Sequence, residues 1–230
     1  MGKLIEKLAI EKGHQVIYKI DSKNSNQTDS LKNVDLAIEF TNPETALENY
    51  RKLAAQNIPI VTGTTGWMDD FQELENLINS TAGKFFYASN FSIGVHLSIA
   101  ASNYMAKLIQ NFPEYKLRID EWHHTQKKDA PSGTALTFAK EIINNHKAYK
   151  EIVCDSPEVQ PDELPIYAYR EDDIPGTHQI KYDSEIDSII LRHEAKNRQG
   201  FALGAIKAAE FLLSQDPGVY TMNHLIKLPL

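Results

Sequence analysis

The feature of this sequence that most narrows its fold is the regular exchange of short apolar runs and helical periodicity along residues 1–90. Leu4, Ile5, Leu8 and Ala9 keep helical spacing up to Gly13, a residue suited to ending a helix. Residues 16–20 then read as a buried strand, and residues 34–40 as another. Asn42-Pro43-Glu44 supplies a helix start, with proline at the first helical position and an acid in the first turn, so a helix is expected to about Gln56. Residues 58–61 predict a strand, 69–79 a helix and 85–88 a further strand. The strand runs are continuous rather than alternating, as in parallel strands covered on both faces. The expected fold is therefore α/β, beginning with a doubly wound, Rossmann-like parallel sheet.

The rhythm changes after Asn90. Residues 95–111 predict a long helix, whereas 115–122, 180–182 and 186–191 alternate apolar with polar residues, as in a sheet with one wetter face. Residues 155–173 carry three prolines and many charges and read mainly as loop, with a strand over 165–169. Residues 201–213 predict a helix, and the apolar positions of 220–228 suit docking back onto the first domain. The expected organisation is a dinucleotide-binding domain over 1–90, an α+β domain with a mixed sheet over 91–199, and a return to the first domain over 200–230.

Composition removes several function classes. Lys207 and Glu210 interrupt the most apolar stretch, so no membrane span is expected. A net charge of −7 disfavours a nucleic-acid partner. The start mixes both charge signs and lacks a signal-peptide core, and the single cysteine, Cys154, has no internal partner. A cytoplasmic setting is expected, with Cys154 a buried or incidental thiol rather than a nucleophile.

In a dinucleotide-binding fold the pyrophosphate sits at a glycine-rich helix start, and an acid about 20 residues on holds a ribose. Gly2 and Asp21 stand in that relation, with Lys23 placed to meet a 2′-phosphate, so NAD and NADP both remain open. The opening strand and the first two glycines of the fingerprint are not in this sequence. Gly63-Thr64-Thr65-Gly66 follows a strand at its carboxyl end, where open parallel sheets bind ligands, although a plain turn competes as a reading.

Residues 121–134 are the most informative stretch, placing His123, His124, Lys127 and Lys128 just ahead of a helix start at Ser132 or Gly133. Backbone N–H groups at Ser132, Gly133 and Thr134 would be free to bind a carboxylate, and Lys127 would neutralise the same anion. The two imidazoles offer a hydrogen-bond donor and a proton source, which suits acid-assisted reduction of a small anion. Glu121, His123, His124 and Asp129 are a competing metal-ligand set, but adjacent residues of an extended chain point to opposite sides and the helical H-E-x-x-H spacing is absent. No metal is expected. His193 and Lys196 could complete a pocket, although solvation at a strand end is the favoured reading.

His123-His124-x-x-Lys127-x-Asp129-Ala130-Pro131-Ser132-Gly133-Thr134 resembles the signature of the dihydrodipicolinate reductases of lysine and diaminopimelate biosynthesis. Gly63-Thr64-Thr65-Gly66, Asn90-Phe91-Ser92-Ile93-Gly94-Val95 and Phe40-Thr41-Asn42-Pro43 add to the resemblance, which spans essentially the whole chain. It implies that His123 donates or accepts a proton, that Lys127 is a second donor, and that His124, Ser132, Gly133 and Thr134 bind the substrate carboxylates. It also implies a cofactor, NADH or NADPH, lined by Gly2, Asp21, Phe40, Gly63, Thr64, Thr65, Ala88, Ser89, Asn90 and Phe91, and a homotetramer formed through the second-domain sheet. The implied reaction is reduction of 4-hydroxy-tetrahydrodipicolinate to tetrahydrodipicolinate; the alternative is a non-catalytic or cofactor-impaired protein of the same fold. Members of the family open with a strand and a glycine loop ending in Met-Gly-Lys or Met-Gly-Arg, and Met1-Gly2-Lys3 is similar to the tail of that loop. Weak cofactor binding is the expectation that follows.

Overall fold

The structure, a computed structural model, describes residues 1–171 and 173–227. The chain forms two compact units, the first made of Met1–Ile93 with Gln199–Leu230 and the second of Gly94–Arg198.

The first unit contains helices α1 (Gly2–Glu11), α2 (Pro43–Ala54) and α3 (Phe71–Ser80), with strands β1 (Ala37–Glu39), β2 (Ile60–Thr62) and β3 (Lys84–Tyr87). It is completed from the far end of the chain by α6 (Gln199–Leu213), β9 (Gly218–Tyr220) and α7 (Met222–Ile226). The strands lie in the order β1-β2-β3-β9, all parallel. Alternation along each strand assigns its side chains to two cores. Ile60 and Phe85 pack with Tyr50, Leu53, Leu74 and Ile78 of α2 and α3. Val61 and Phe86 pack with Ile5 and Leu8 of α1 and Ala205, Ile206 and Leu212 of α6. Helices therefore cover both faces, as the continuous apolar strands predict. Asn42 caps α2 by accepting from the Thr45 N–H at 3.1 Å, with Pro43 at the first helical position.

Residues 16–20 are not a strand. They carry no regular secondary structure, with Val16, Tyr18 and Ile20 half-buried and Ile17 and Lys19 exposed, and among the described residues no strand pairs with them. A strand is defined by a neighbour that takes its N–H and C=O groups, and an apolar run alone does not supply one. The ladder expected over 34–40 is likewise confined to Ala37–Glu39. Gly13 ends the first helix region at φ +89°, where a side chain would be strained.

The second unit holds α4 (Ile93–Ile109, whose first residue belongs to the first unit), β4 (Lys116–His123), α5 (Gly133–Asn145), β5 (Glu151–Cys154), β6 (Glu163–Arg170), β7 (Thr177–Asp183) and β8 (Ser188–Glu194). Its sheet has the order β5-β6-β4-β7-β8, parallel from β5 to β4 and antiparallel from β4 to β8. Ile166, Ile119 and Ile180 lie in register across the three central strands and pack on Phe138 and Ile142 of α5. Elsewhere on the sheet Trp122 stacks on Tyr169 with Arg192 over its ring, as a wetter surface allows.

Residues 155–173, expected to be mainly loop, contain the eight-residue strand β6. Pro165 is tolerated because it faces β5 alone: the β4 ladder begins one residue later, at Ile119 opposite Ile166. Asp172 lies outside the described residues, as does Leu228 at the end of the C-terminal return. In that return, β9 pairs with β3, placing Val219 opposite Phe85.

Candidate active site

In the first unit, the loops that follow β1, β2 and β3 share the carboxyl edge of one parallel sheet, where open α/β sheets take ligands. Glu39, at the end of β1, organises this edge. Its buried carboxylate accepts hydroxyl hydrogen bonds from Thr62 at 2.6 Å, Thr64 at 2.8 Å and Tyr50 at 3.4 Å, and from Thr41. Thr64 in turn accepts from the Thr41 N–H at 2.8 Å, joining the first two loops. At Gly63 a Cβ would fall 2.0 Å from the Phe40 ring, so the approach of these loops requires glycine. Burial, reinforced by the Glu39 charge, pushes the Tyr50 hydroxyl above its ordinary range, which keeps it a donor.

The small residues of this edge permit close approach of a ligand to the loops, which fits a nicotinamide cofactor. Thr65 and Ser89 are exposed, Ala88 gives its N–H to the Thr62 carbonyl, and Asn90 accepts from the Ser92 N–H. Phe91 is 2% exposed and its ring packs against Phe40 and Phe86, so its side chain belongs to the core beneath this edge. Gly2 opens α1 with open space around it. Asp21 is exposed and accepts from the Lys23 N–H at 2.8 Å, forming a turn.

In the second unit, β4 carries Leu117, Ile119, Glu121 and His123 on its core face. The strand register sets His178 of β7 opposite Glu121, and Arg170 of β6 opposite His123. Glu121 is fully buried. Its Oε1 accepts from the Ser132 N–H at 2.9 Å and from Arg170 at 3.3 Å. Its Oε2 lies 3.6 Å from His123 Nδ1 and 3.5 Å from His178 Nε2. His178 Nε2 also meets the Ser132 hydroxyl at 3.1 Å, and that hydroxyl caps α5 by accepting from the Ala135 N–H.

Two charge states follow. Burial alone would raise the Glu121 carboxyl, but the neighbouring His178 imidazole, the Ser132 donors and the charge of His123 hold it at about 2. Burial pushes the His123 imidazole down to about 4; Glu121 opposes this, while His178, Lys127 and Arg170 add to it. In the ligand-free protein Glu121 is thus an anion and His123 neutral at pH 7.

The structure revises one expectation directly. Ser132 does not offer its N–H to a ligand, because the buried Glu121 carboxylate takes it. Gly133, the first residue of α5, is exposed, and Thr134 follows half-buried. Lys127 forms an ion pair with the exposed Asp129 at 2.7 Å. His124 turns away from His123, gives its N–H to the Ile174 carbonyl, and lines a groove of about 580 Å³ with Gln126, Pro175, Lys196 and Arg198. Lys196 borders this groove, beside Asp173 and Arg198, rather than being only solvated at a strand end, and the Nδ1 of His193 is buried.

Glu121, His123 and His178 bring ligating atoms within 4.8 Å of one another, a donor set a metal could use, and His178 replaces the His124 of the sequence reading. Ser132 and Arg170 already occupy two of the polar positions around this trio. Sequence reasoning missed Glu39, Arg170, Gly176 and His178. A signal for His178 was present: it holds the inward phase of β7 with Ile180 and Tyr182, where a lone histidine is out of place.

The family models "Dihydrodipicolinate reductase, N-terminus" and "Dihydrodipicolinate reductase, C-terminus" match residues 1–91 and 94–226. A 4-hydroxy-tetrahydrodipicolinate reductase of Christiangramia forsetii is 39% identical over 226 residues, covering 98% of this chain and 93% of the relative. One from Caldanaerobacter subterraneus subsp. tengcongensis is 34% identical over 242 residues, covering 99% and 94%. Among solved structures, the dipicolinate-bound dihydrodipicolinate reductase of Paenisporosarcina sp. TG-14 is similar with a TM-score of 0.61 and 27% identity, covering 81% of this chain and 71% of that one. Matched along both of its halves, the chain belongs to the dihydrodipicolinate reductase family.

Proposed function

We propose that this protein reduces 4-hydroxy-tetrahydrodipicolinate to tetrahydrodipicolinate with NADH or NADPH, releasing water, in lysine and diaminopimelate biosynthesis. The nicotinamide cofactor supplies the hydride when bound. The observation that carries the reading is the grouping, within one family-matched segment, of a sealed Glu121–His123 pair, the Lys127 ammonium and the exposed start of α5. His123 exchanges a proton with the ring, and Lys127, released from Asp129 by a carboxylate, is the second donor. His124, Gly133 and Thr134 hold the substrate carboxylates, with Ser132 shaping the helix mouth rather than binding through its N–H. The loops at Phe40, Gly63, Thr64, Thr65 and 88–90 take the nicotinamide half of the cofactor, Phe91 packs beneath them, and Gly2 and Asp21 take the pyrophosphate and ribose. The first unit is thus the cofactor domain and the second the substrate domain.

The assembly is a homotetramer formed through the second sheet, a reading supported by Ile186, Ile189 and Ile190 at and beside β8, which are 93%, 41% and 52% exposed. The setting is the cytoplasm; among the described residues no helix is long and apolar enough to cross a membrane. The test is cofactor oxidation on addition of freshly prepared 4-hydroxy-tetrahydrodipicolinate, run in parallel with NADH and NADPH. Substrate-dependent oxidation of either is expected, and oxidation of neither would overturn the assignment.

A further inference from the structure

Glu121 is the fully buried acceptor on which several separate parts of the second unit converge. Its Oε1 holds the Ser132 N–H, eleven residues along the chain, and so fixes where α5 begins. Its Oε2 has no hydrogen-bond partner, and neither has His123 Nδ1; both atoms are sealed from solvent and lie 3.6 Å apart. Two orphaned buried groups, one an acceptor and the other able to donate, are each other's complement, and a slight rotation closes the hydrogen bond. On its other edge the imidazole presents Nε2 to Gly176, where a Cβ would stand 3.1 Å away. Gly176 has φ +152° and leaves that nitrogen uncrowded.

Resting on the reductase reading above, we infer that Glu121 is the positioning residue of the site. Its carboxylate holds His123 by Nδ1, so that Nε2 is the nitrogen that exchanges protons, and through the Ser132 N–H it fixes the carboxylate-binding mouth of α5. One buried charge thereby registers the proton-exchanging group against the anion cradle. The groups facing His123 are Glu121 on its own strand, His178 from β7, Arg170 from β6 and Lys127 from the following turn. Of these, Glu121 alone favours the imidazolium, so its removal must make His123 harder to protonate.

The test uses the full chain as wild type, Glu121→Gln and Glu121→Asp. Two-bond nitrogen–proton correlation spectra of the ligand-free protein at pH 7 read the His123 tautomer. Wild type is expected to carry the proton on Nδ1, and Glu121→Gln to shift it toward Nε2. In turnover, Glu121→Gln is expected to lower kcat about 100-fold and to raise KM. The limb on which kcat falls with rising pH should move down by about one pH unit. Glu121→Asp, which keeps the charge, should recover at least a tenth of wild-type kcat. An Nε2-protonated His123 in wild type overturns the inference. So does a loss of kcat with an unmoved pH profile and no recovery in Glu121→Asp, the mark of a merely structural residue. If Glu121→Gln does not fold, the wild-type tautomer and the Glu121→Asp profile decide the matter. If wild type turns over no substrate, the reductase reading falls, while the tautomer still decides whether Glu121 sets the imidazole.

Discussion

Thr64, in the turn after β2, donates its hydroxyl to the Glu39 carboxylate at the end of β1, at 2.8 Å. The bond ties a loop of the cofactor edge to the floor of the sheet, and Glu39 is 6% exposed. Replacing Glu39 with Ala leaves the hydroxyls of Thr62, Thr64 and Tyr50 without their shared acceptor. The expected loss is about 3 kcal/mol of stability, with weaker NADH binding. Urea unfolding and fluorescence titration of the variant check both effects; an unchanged midpoint would show that the carboxylate is dispensable.

Gly204 of α6 lies against the loop after β3. A Cβ there would fall 1.8 Å from the Phe91 carbonyl oxygen, an atom of the backbone that has no side-chain freedom to yield. Gly204→Ala should therefore destabilise the first unit by about 2 kcal/mol or more through overpacking, despite the better helix propensity of alanine. Thermal unfolding measures it, and a raised midpoint would refute the packing.

Much of this arrangement was legible in the sequence because it is local. Asn42-Pro43 and Ser132-Gly133 announce helix starts, and both helices begin there. The short apolar runs around Ile60 and Phe85 give parallel strands. His123, His124 and Lys127 stood out by their spacing to the helix start at Ser132. Contacts that join distant segments were not legible. Residues 16–20 have the apolar run of a strand, but among the described residues no strand pairs with them. β5 is only four residues, too short a run to mark a strand by itself, and exists through its pairing with β6. The position of His178 against Glu121 depends on the β4–β7 register, which no local signal encodes. The Ser132 N–H is consumed by a carboxylate whose place is fixed by β4, and helix-capping rules alone leave that N–H free.

Acid should weaken the fold in two steps. His123 is held down to about 4 from an ordinary 6.5, so between those pH values the unfolded chain binds a proton that the folded one refuses, and stability falls as pH falls. Glu121, held at about 2 against 4.5, acts with the same sign: its contribution is complete above 4.5 and is lost as pH drops toward 2. Burial lowers His146 and His193 as well, which adds to the first step. The urea midpoint of wild type should decline between pH 6.5 and 4, and less steeply in His123→Asn. Equal slopes would remove His123 from this balance.

A chelator should not affect turnover. Ser132 Oγ stands 3.1 Å from His178 Nε2, and the Glu121 carboxylate accepts from Ser132 and Arg170, so protein groups already engage two members of the trio. Activity after exhaustive dialysis against a chelator should match the untreated protein. Loss of activity restored by zinc would instead make Glu121, His123 and His178 a metal centre.

In the proposed reaction the Lys127 ammonium leaves Asp129 to meet the substrate. Its pairing with Asp129, a residue whose side chain is 58% exposed, contributes little to stability, so Lys127→Ala should fold with an unchanged thermal midpoint. The decisive measurement is kcat of Lys127→Ala against wild type with saturating NADH or NADPH and 4-hydroxy-tetrahydrodipicolinate. The account predicts a fall of about 100-fold or more at unchanged stability; turnover equal to wild type would contradict it.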